Sequence, residues 1–327
     1  MHILITGAAG MIGRKLAMRL AAAGLADRRP VERLTLLDVS AAPRPDNFAG
    51  RIDSVVADLA DAGVAPAAIA DRPDVIFHLA AVVSGEAELD FDKGFRANFD
   101  GARALFEAIR GTGGGYRPRV VFSSSIAVFG APFPDAIGDD FALTPLTSYG
   151  AQKAMVELLL ADYSRRGFLD GVGIRLPNIV VRPGRPNKAA SGFFSSIIRE
   201  PLAGEEAVLP VEESVRNWHA SPRAAVGFLL HAAALDSGKL GPRVNLNMPG
   251  VCCTVAEQLA ALRRIAGERV AARIRREPDA LIARMVAGWP GRFDPQRALA
   301  LGFKAESSFD EIIRVHIDDE LGGSFVA

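Results

Sequence analysis

Apolar residues in this chain fall into short unbroken runs, separated by stretches where they recur every three or four positions. The runs predict strands at His2–Thr6, Arg33–Asp38, Ser54–Asp58, Val75–Leu79, Val120–Ser124, Val172–Leu176 and Val244–Asn247. The periodic stretches predict helices at Met11–Ala23, Lys93–Arg110, Ser148–Arg165 and Arg223–Leu235. Strands separated by helix-length segments imply βαβ units, because parallel strands need a crossover long enough to hold a helix. The expected fold class is α/β, a doubly wound parallel sheet.

The alternation fades after Pro177. Val181–Pro186 reads as loop, and Thr254–Leu321 is mostly helical in pattern with a β-like stretch at Val270–Ile274. Residues 1–176, with a strand returning near 243–248, are expected to form one large domain. Residues 177–327 are expected to form a smaller mixed lobe, with a cleft between the two.

Composition narrows the function classes. The chain has 327 residues, with 38 basic and 38 acidic side chains. Zero formal charge gives no electrostatic case for nucleic acid or an anionic membrane. Apolar residues make up 49% of the chain, which argues against disorder, and no run reaches membrane-spanning length. The N-terminus lacks a basic leader and Arg14 and Lys15 interrupt its apolar stretch, so it reads as mature protein. Cys252 and Cys253 are the only cysteines, which excludes a disulfide framework, disfavours a zinc site and fits a reducing, cytoplasmic setting. The arginines within Arg263–Arg276, with Glu268 and Glu277 nearby and zero net charge overall, read as a solvated face.

Two constellations carry chemistry. The first strand runs into Thr6-Gly-Ala-Ala-Gly10-Met-Ile-Gly13, which opens the first helix. Glycines there permit a tight turn, a close approach of backbone to a pyrophosphate, and close packing of helix on strand. Gly7, Gly10, Met11, Ile12 and Gly13 are the expected phosphate contacts. Asp38 ends the second strand, where a carboxylate accepts from ribose hydroxyls and repels a 2′-phosphate, favouring NAD over NADP. Asp58 is placed either to meet the adenine amino group or to cap the next helix. The second constellation is Ser125, at the end of an apolar strand, with Tyr149 and Lys153 four residues apart on one helix face. A phenol of pKa ~10 is a poor base at neutral pH, and a nearby ammonium favours its phenolate.

These motifs resemble the extended short-chain dehydrogenases/reductases, the Rossmann-fold superfamily that includes nucleotide-sugar epimerases and dehydratases. The resemblance rests on residues 6–13, Asp38, Asp58-Leu59, His78-Leu-Ala-Ala81, Asn98 with Gly101, the serines at 123–125, Tyr149/Lys153, and Asp294 with Leu301-Gly302-Phe303. It implies that Tyr149 is the general acid/base and that Lys153 supports it while binding the nicotinamide ribose. Ser125 would hold the reacting oxygen. Leu59, Ala80 and Asn98 would join the cofactor site. The helix pair Lys93–Arg110 and Ser148–Arg165 would form a homodimer contact.

The chain also departs from the epimerases. Ile126 and Ala127 stand where dehydratases carry an acidic pair, and Arg216-Asn-Trp-His219-Ala-Ser-Pro-Arg223 lacks the expected aspartate. The segments from Arg175 to Phe194 and from Val215 to Arg223 are similar instead to the D-erythronate dehydrogenases. That implies oxidation of the C2 hydroxyl of a small anionic sugar acid. Arg182, Lys188 and Arg216 are candidate grips for its carboxylate, and His219 for a hydroxyl. The alternatives are a nucleotide-sugar 4-epimerase holding NAD tightly and a non-catalytic NAD-binding or sensing protein.

Overall fold

The computed structural model describes residues 1–25, 30–184 and 190–326. Seven strands, β1 (His2–Thr6), β2 (Arg33–Asp38), β3 (Arg51–Val56), β4 (Val75–His78), β5 (Arg119–Ser125), β6 (Asp170–Leu176) and β7 (Asn245–Asn247), form one sheet. Their order is β7-β6-β5-β4-β1-β2-β3, and the pairings of β1 with β2 and β4, β2 with β3, β4 with β5, and β6 with β7 are parallel. The order reverses beside β1, so the connections leaving the carboxyl ends of β1 and β4 run to opposite faces of the sheet, the arrangement that suits a ligand there.

Helices α1 (Met11–Ala23), α2 (Val64–Ile69), α3 (Gly101–Thr112) and α4 (Ser148–Arg165) cross between these strands. Leu105 and Phe106 of α3 and Val156 and Leu160 of α4 share one core with Leu4, Ile76, Val120 and Phe122 of the sheet. Each such side chain stabilises the fold by about 1.5–3 kcal/mol on burial. The doubly wound parallel sheet expected from the alternation is the observed architecture.

Three elements differ from the apolar pattern. β3 spans Arg51–Val56 rather than Ser54–Asp58, in register with β2 from Arg33↔Arg51 to Asp38↔Val56. It is an edge strand with little buried surface, so backbone pairing and the Arg33–Asp53 ion pair at 2.6 Å set its limits. The expected helix Lys93–Arg110 is three segments: Phe91–Phe95, a π-helical turn Arg96–Asp100, and α3. Val270–Ile274 is a short helix, Glu268–Ala271, followed by a strand, Ile274–Arg276, that pairs with Ala207–Leu209.

The chain divides into two compact units. The first comprises Met1–Val128, Pro145–Arg175 and Val226–Asn247. The second comprises Phe129–Thr144, Leu176–Ala225 and Met248–Ala327. The core of the second unit joins Phe194, Ile197, Leu259, Leu262, Ile312 and Ile313. Beside it lies a three-stranded sheet of Val251–Thr254, Arg216–Ala220 and Asn178–Ile179, strands that the apolar pattern did not announce. Among the described residues no helix is long and apolar enough to cross a membrane.

Candidate active site

The loop after β1 is built by steric necessity. Gly7 has φ +75°, and a Cβ there would lie 2.6 Å from the Ala80 nitrogen. A Cβ on Gly13 would lie 2.2 Å from the Gly7 carbonyl oxygen. Both close approaches tighten the loop at the switch point, pinned to β2 by bonds from the Gly7 and Ala8 amides to the Leu37 carbonyl at 2.9 and 3.2 Å. α1 starts at Met11 with no side-chain cap on Gly10, and its first internal bond is from the Arg14 amide to Gly10. The amides of Met11, Ile12 and Gly13 therefore present a positive helix end without a competing side chain, a cradle that fits a dinucleotide pyrophosphate. The Asp38 carboxylate accepts the Ala9 amide at 2.9 Å, which ties it to the same loop.

Asp58 lies beyond the end of β3. Its carboxylate accepts the Ala60 amide and the Arg96 Nε, both at 2.9 Å. Helix α2 is capped by Gly63, so Asp58 forms a local turn and an ion pair rather than a helix cap. Leu59 beside it is buried against the core.

Asn98 sits on the π-helical turn, buried, and its side-chain oxygen accepts the Val82 amide at 2.9 Å. Its amide meets that of Gln152 on α4 at 2.7 Å. The turn thus links the loop after β4 to the helix carrying Tyr149 and Lys153. Inserted π turns of this kind recur at functional sites.

α4 is brought against the end of β5 by Gly150, where a Cβ would come within 2.2 Å of the Ala127 carbonyl oxygen. Thr147 caps the helix, its hydroxyl accepting the Gly150 amide at 3.0 Å. Each serine of the run then has its own partner. Ser123 donates to the His78 carbonyl at 3.2 Å, Ser124 donates to Glu157, and Ser125 accepts the Ala127 amide at 3.1 Å. Lys153 is buried, donates through Nζ to the Ser123 carbonyl at 2.9 Å, and lies 5.7 Å from the centre of the Tyr149 ring and 4.8 Å from that of Phe122. Burial pulls its pKa from 10.5 down to about 7, with Glu157 opposing the fall. His78 is pushed down to about 3 by burial and then by the Lys153 charge, so it stays neutral, its Nδ1 facing the Thr6 hydroxyl at 2.8 Å.

The expected carboxylate grips lie in different settings. Arg182 is committed to its own segment, donating to the Ile179 carbonyl and the Asn178 side chain at 2.9 Å and to Ser191 at 3.0 Å. Arg216 is exposed at the head of its strand. Lys188 lies outside the described residues. His219 is wholly buried, edge-on to Phe194 and Phe309, with Nε2 2.9 Å from the Gln258 amide and its pKa pushed down to about 3 by burial. It is part of the core of its unit.

Glu157, Arg175, Gln152 and Arg96 did not stand out in the sequence. One signal was present for the first: Tyr149, Lys153 and Glu157 recur every four residues, a polar stripe on one helix face.

A glycine-cradled helix start and a buried lysine beside a tyrosine, on one doubly wound sheet, suit a dinucleotide-dependent oxidoreductase. Residues 3–246 match the NAD dependent epimerase/dehydratase family, and the chain belongs to it. It is 50% identical over 323 residues to a D-erythronate dehydrogenase of Cupriavidus necator, covering 98% of both chains. It is 43% identical to a D-erythronate dehydrogenase of Haemophilus influenzae, covering 98% of this chain and all of the other. A crystal structure from Agrobacterium tumefaciens, described as a nucleoside-diphosphate-sugar epimerase, superposes with a TM-score of 0.97 at 64% identity, covering 99% of this chain and 95% of that one.

Proposed function

We propose that this protein is an NAD-dependent dehydrogenase that oxidises the C2 hydroxyl of a small sugar acid, D-erythronate foremost, to a ketone. The observation that carries this reading is the near-complete match to two D-erythronate dehydrogenases in a chain that carries Ser125, Tyr149 and Lys153. When bound, NAD supplies the hydride acceptor. Tyr149 removes the proton from the C2 hydroxyl, and Ser125 steadies that oxygen with a hydrogen bond. Lys153 places positive charge behind the phenol. Arg216, exposed and not engaged like Arg182, is the favoured grip for the carboxylate. In this reading the first unit holds NAD and the second supplies substrate contacts. The protein works in the cytoplasm, whose reducing conditions suit the free Cys252 and Cys253.

The test is NADH absorbance with a panel of three- to six-carbon sugar acids, run beside UDP-sugars. NADH from a four-carbon acid is expected. The description of the Agrobacterium structure favours a second reading, a nucleotide-sugar epimerase. Interconversion of UDP-sugars with no NADH from any acid would establish it instead.

Asp38 bears on the cofactor. Asp38→Ala is expected to narrow the preference for NAD over NADP by roughly 10–100-fold, the worth of a charged hydrogen bond plus relief of repulsion. An unchanged ratio of kcat/KM values for the two cofactors would remove Asp38 from the ribose site.

A homodimer is also proposed. Phe91, Phe95 and Phe99 form a row with ring centres 5.7 and 5.1 Å apart, and Leu89, Phe91 and Leu158 are 83%, 58% and 66% exposed. Apolar surface of this kind on neighbouring helices suits a self-complementary contact. Leu158→Glu is expected to give monomers by analytical ultracentrifugation where the parent sediments as a dimer. A monomeric parent sinks the proposal.

A further inference from the structure

Behind Lys153, on the side of α4 that faces the sheet, lies a buried array that the reaction does not use directly. Glu157 is one helical turn beyond Lys153 and 1% exposed. Arg175 of β6 grips its carboxylate from Nε at 3.0 and 3.1 Å and from a terminal nitrogen at 2.7 Å. The same guanidinium donates to the Asn247 side chain on β7 at 3.0 Å. Ser124 donates to Glu157 from β5, between Ser123, whose carbonyl receives the Lys153 ammonium, and Ser125. The Asn245 side chain on β7 donates to the Glu157 carbonyl at 3.2 Å. Two strands, β5 and β6, thus donate to one carboxylate carried by α4, and β7 bonds the guanidinium and the helix backbone beside it.

A buried ion pair of this kind is a poor device for stability, because desolvating both ions cancels much of their attraction. Its value lies in what it holds. The groups facing Lys153 are Tyr149 and Glu157 on its own helix, the Phe122 ring and Ser123 carbonyl of β5, and neutral His78 of β4. Among these, Glu157 carries the negative charge. We propose that Glu157 is a positioning residue for Lys153, keeping its buried ammonium charged and, with Arg175 and Ser124, fixing α4 against the end of β5. The inference rests on the role given to Lys153 above. It adds that the charge of this lysine is set from behind by a carboxylate anchored to β6.

The test reads Lys153 itself, without cofactor or substrate. The chain has six lysines, so ε-carbon-labelled lysine gives a simple NMR titration, with the Lys153 signal identified by its loss in Lys153→Met. Glu157→Gln is expected to lower the Lys153 pKa by about one unit, and Glu157→Asp to leave it near the parent value. Arg175→Met, which leaves the carboxylate uncompensated, is expected to raise it. The alkaline limb of kcat/KM should move in the same directions. Unchanged lysine titration in a folded Glu157→Gln protein would overturn the inference, as would a downward shift in Arg175→Met should the Gln variant not fold. Full turnover in Lys153→Met would instead overturn the role of Lys153, a separate outcome.

Discussion

Tyr149→Phe is expected to lower kcat for the sugar acid by about 10²–10⁴-fold, the usual contribution of a positioned acid/base group. NAD affinity should stay within about fivefold, since the loss of one neutral hydrogen bond is worth ~1 kcal/mol. The change removes one oxygen and keeps the ring near the Lys153 ammonium, 5.7 Å away, so the packing of α4 is preserved. Single-turnover NADH formation gives the first quantity and calorimetric titration of the protein with NAD the second. A variant that loses NAD affinity and turnover together would mark Tyr149 as a structural residue, and one that keeps turnover would remove it from the chemistry.

Lys153→Met is expected to abolish most turnover and, at the same time, to stabilise the protein without its cofactor. The lysine is wholly buried and its pKa falls from 10.5 to about 7, first through burial. Because the folded value lies below the unfolded one, the unfolded chain binds the extra proton between pH 7 and 10.5. Stability from this group therefore rises with pH across that window, and below pH 7 the full cost of burying the charge is present. Methionine removes that cost but leaves the Ser123 carbonyl without its donor, so a net gain on the order of 1–3 kcal/mol is expected at pH 6, shrinking toward pH 10.5. Thermal melts of both proteins across that range provide the check. Equal melting at every pH would show that the ammonium is solvated more than its burial implies. A lysine kept at such a cost is the exchange of stability for activity expected at a working site.

The agreement between pattern and fold follows from the kind of information each element carries. β1, β2 and α1 have the bounds that their periodicity indicates, because each buries a largely apolar face. β3 does not, because an edge strand is selected by its neighbour's backbone, and Arg51 and Asp53 extend it without any hydrophobic signal. The π turn at Arg96–Asp100 was equally invisible. One inserted residue changes no composition, and its partners, Val82 and Gln152, are 16 and 54 positions from Asn98.

The candidate substrate contacts of the second unit show the same division. Arg182, Arg216 and His219 look equivalent as a list of polar side chains, yet one is bonded into its own segment, one is exposed, and one is buried among aromatic rings. Burial is a property of the packed chain, and with it go the pKa of His219 and its fitness to meet a substrate.

The sequence alone determined what local sterics and spacing control. These are the βαβ alternation, the loop that tolerates no Cβ at Gly7 or Gly13, the acidic end of β2, and a phenol and an ammonium one helical turn apart. Tertiary structure decided which polar groups lose water and which partners they find. Arg175 meets Asn247 across 72 positions of sequence, and Thr6 meets His78 across another 72. Desolvation and pairing depend on contacts between distant segments, so the lowered pKa of Lys153 and the alignment of α4 exist only once the sheet has closed over them.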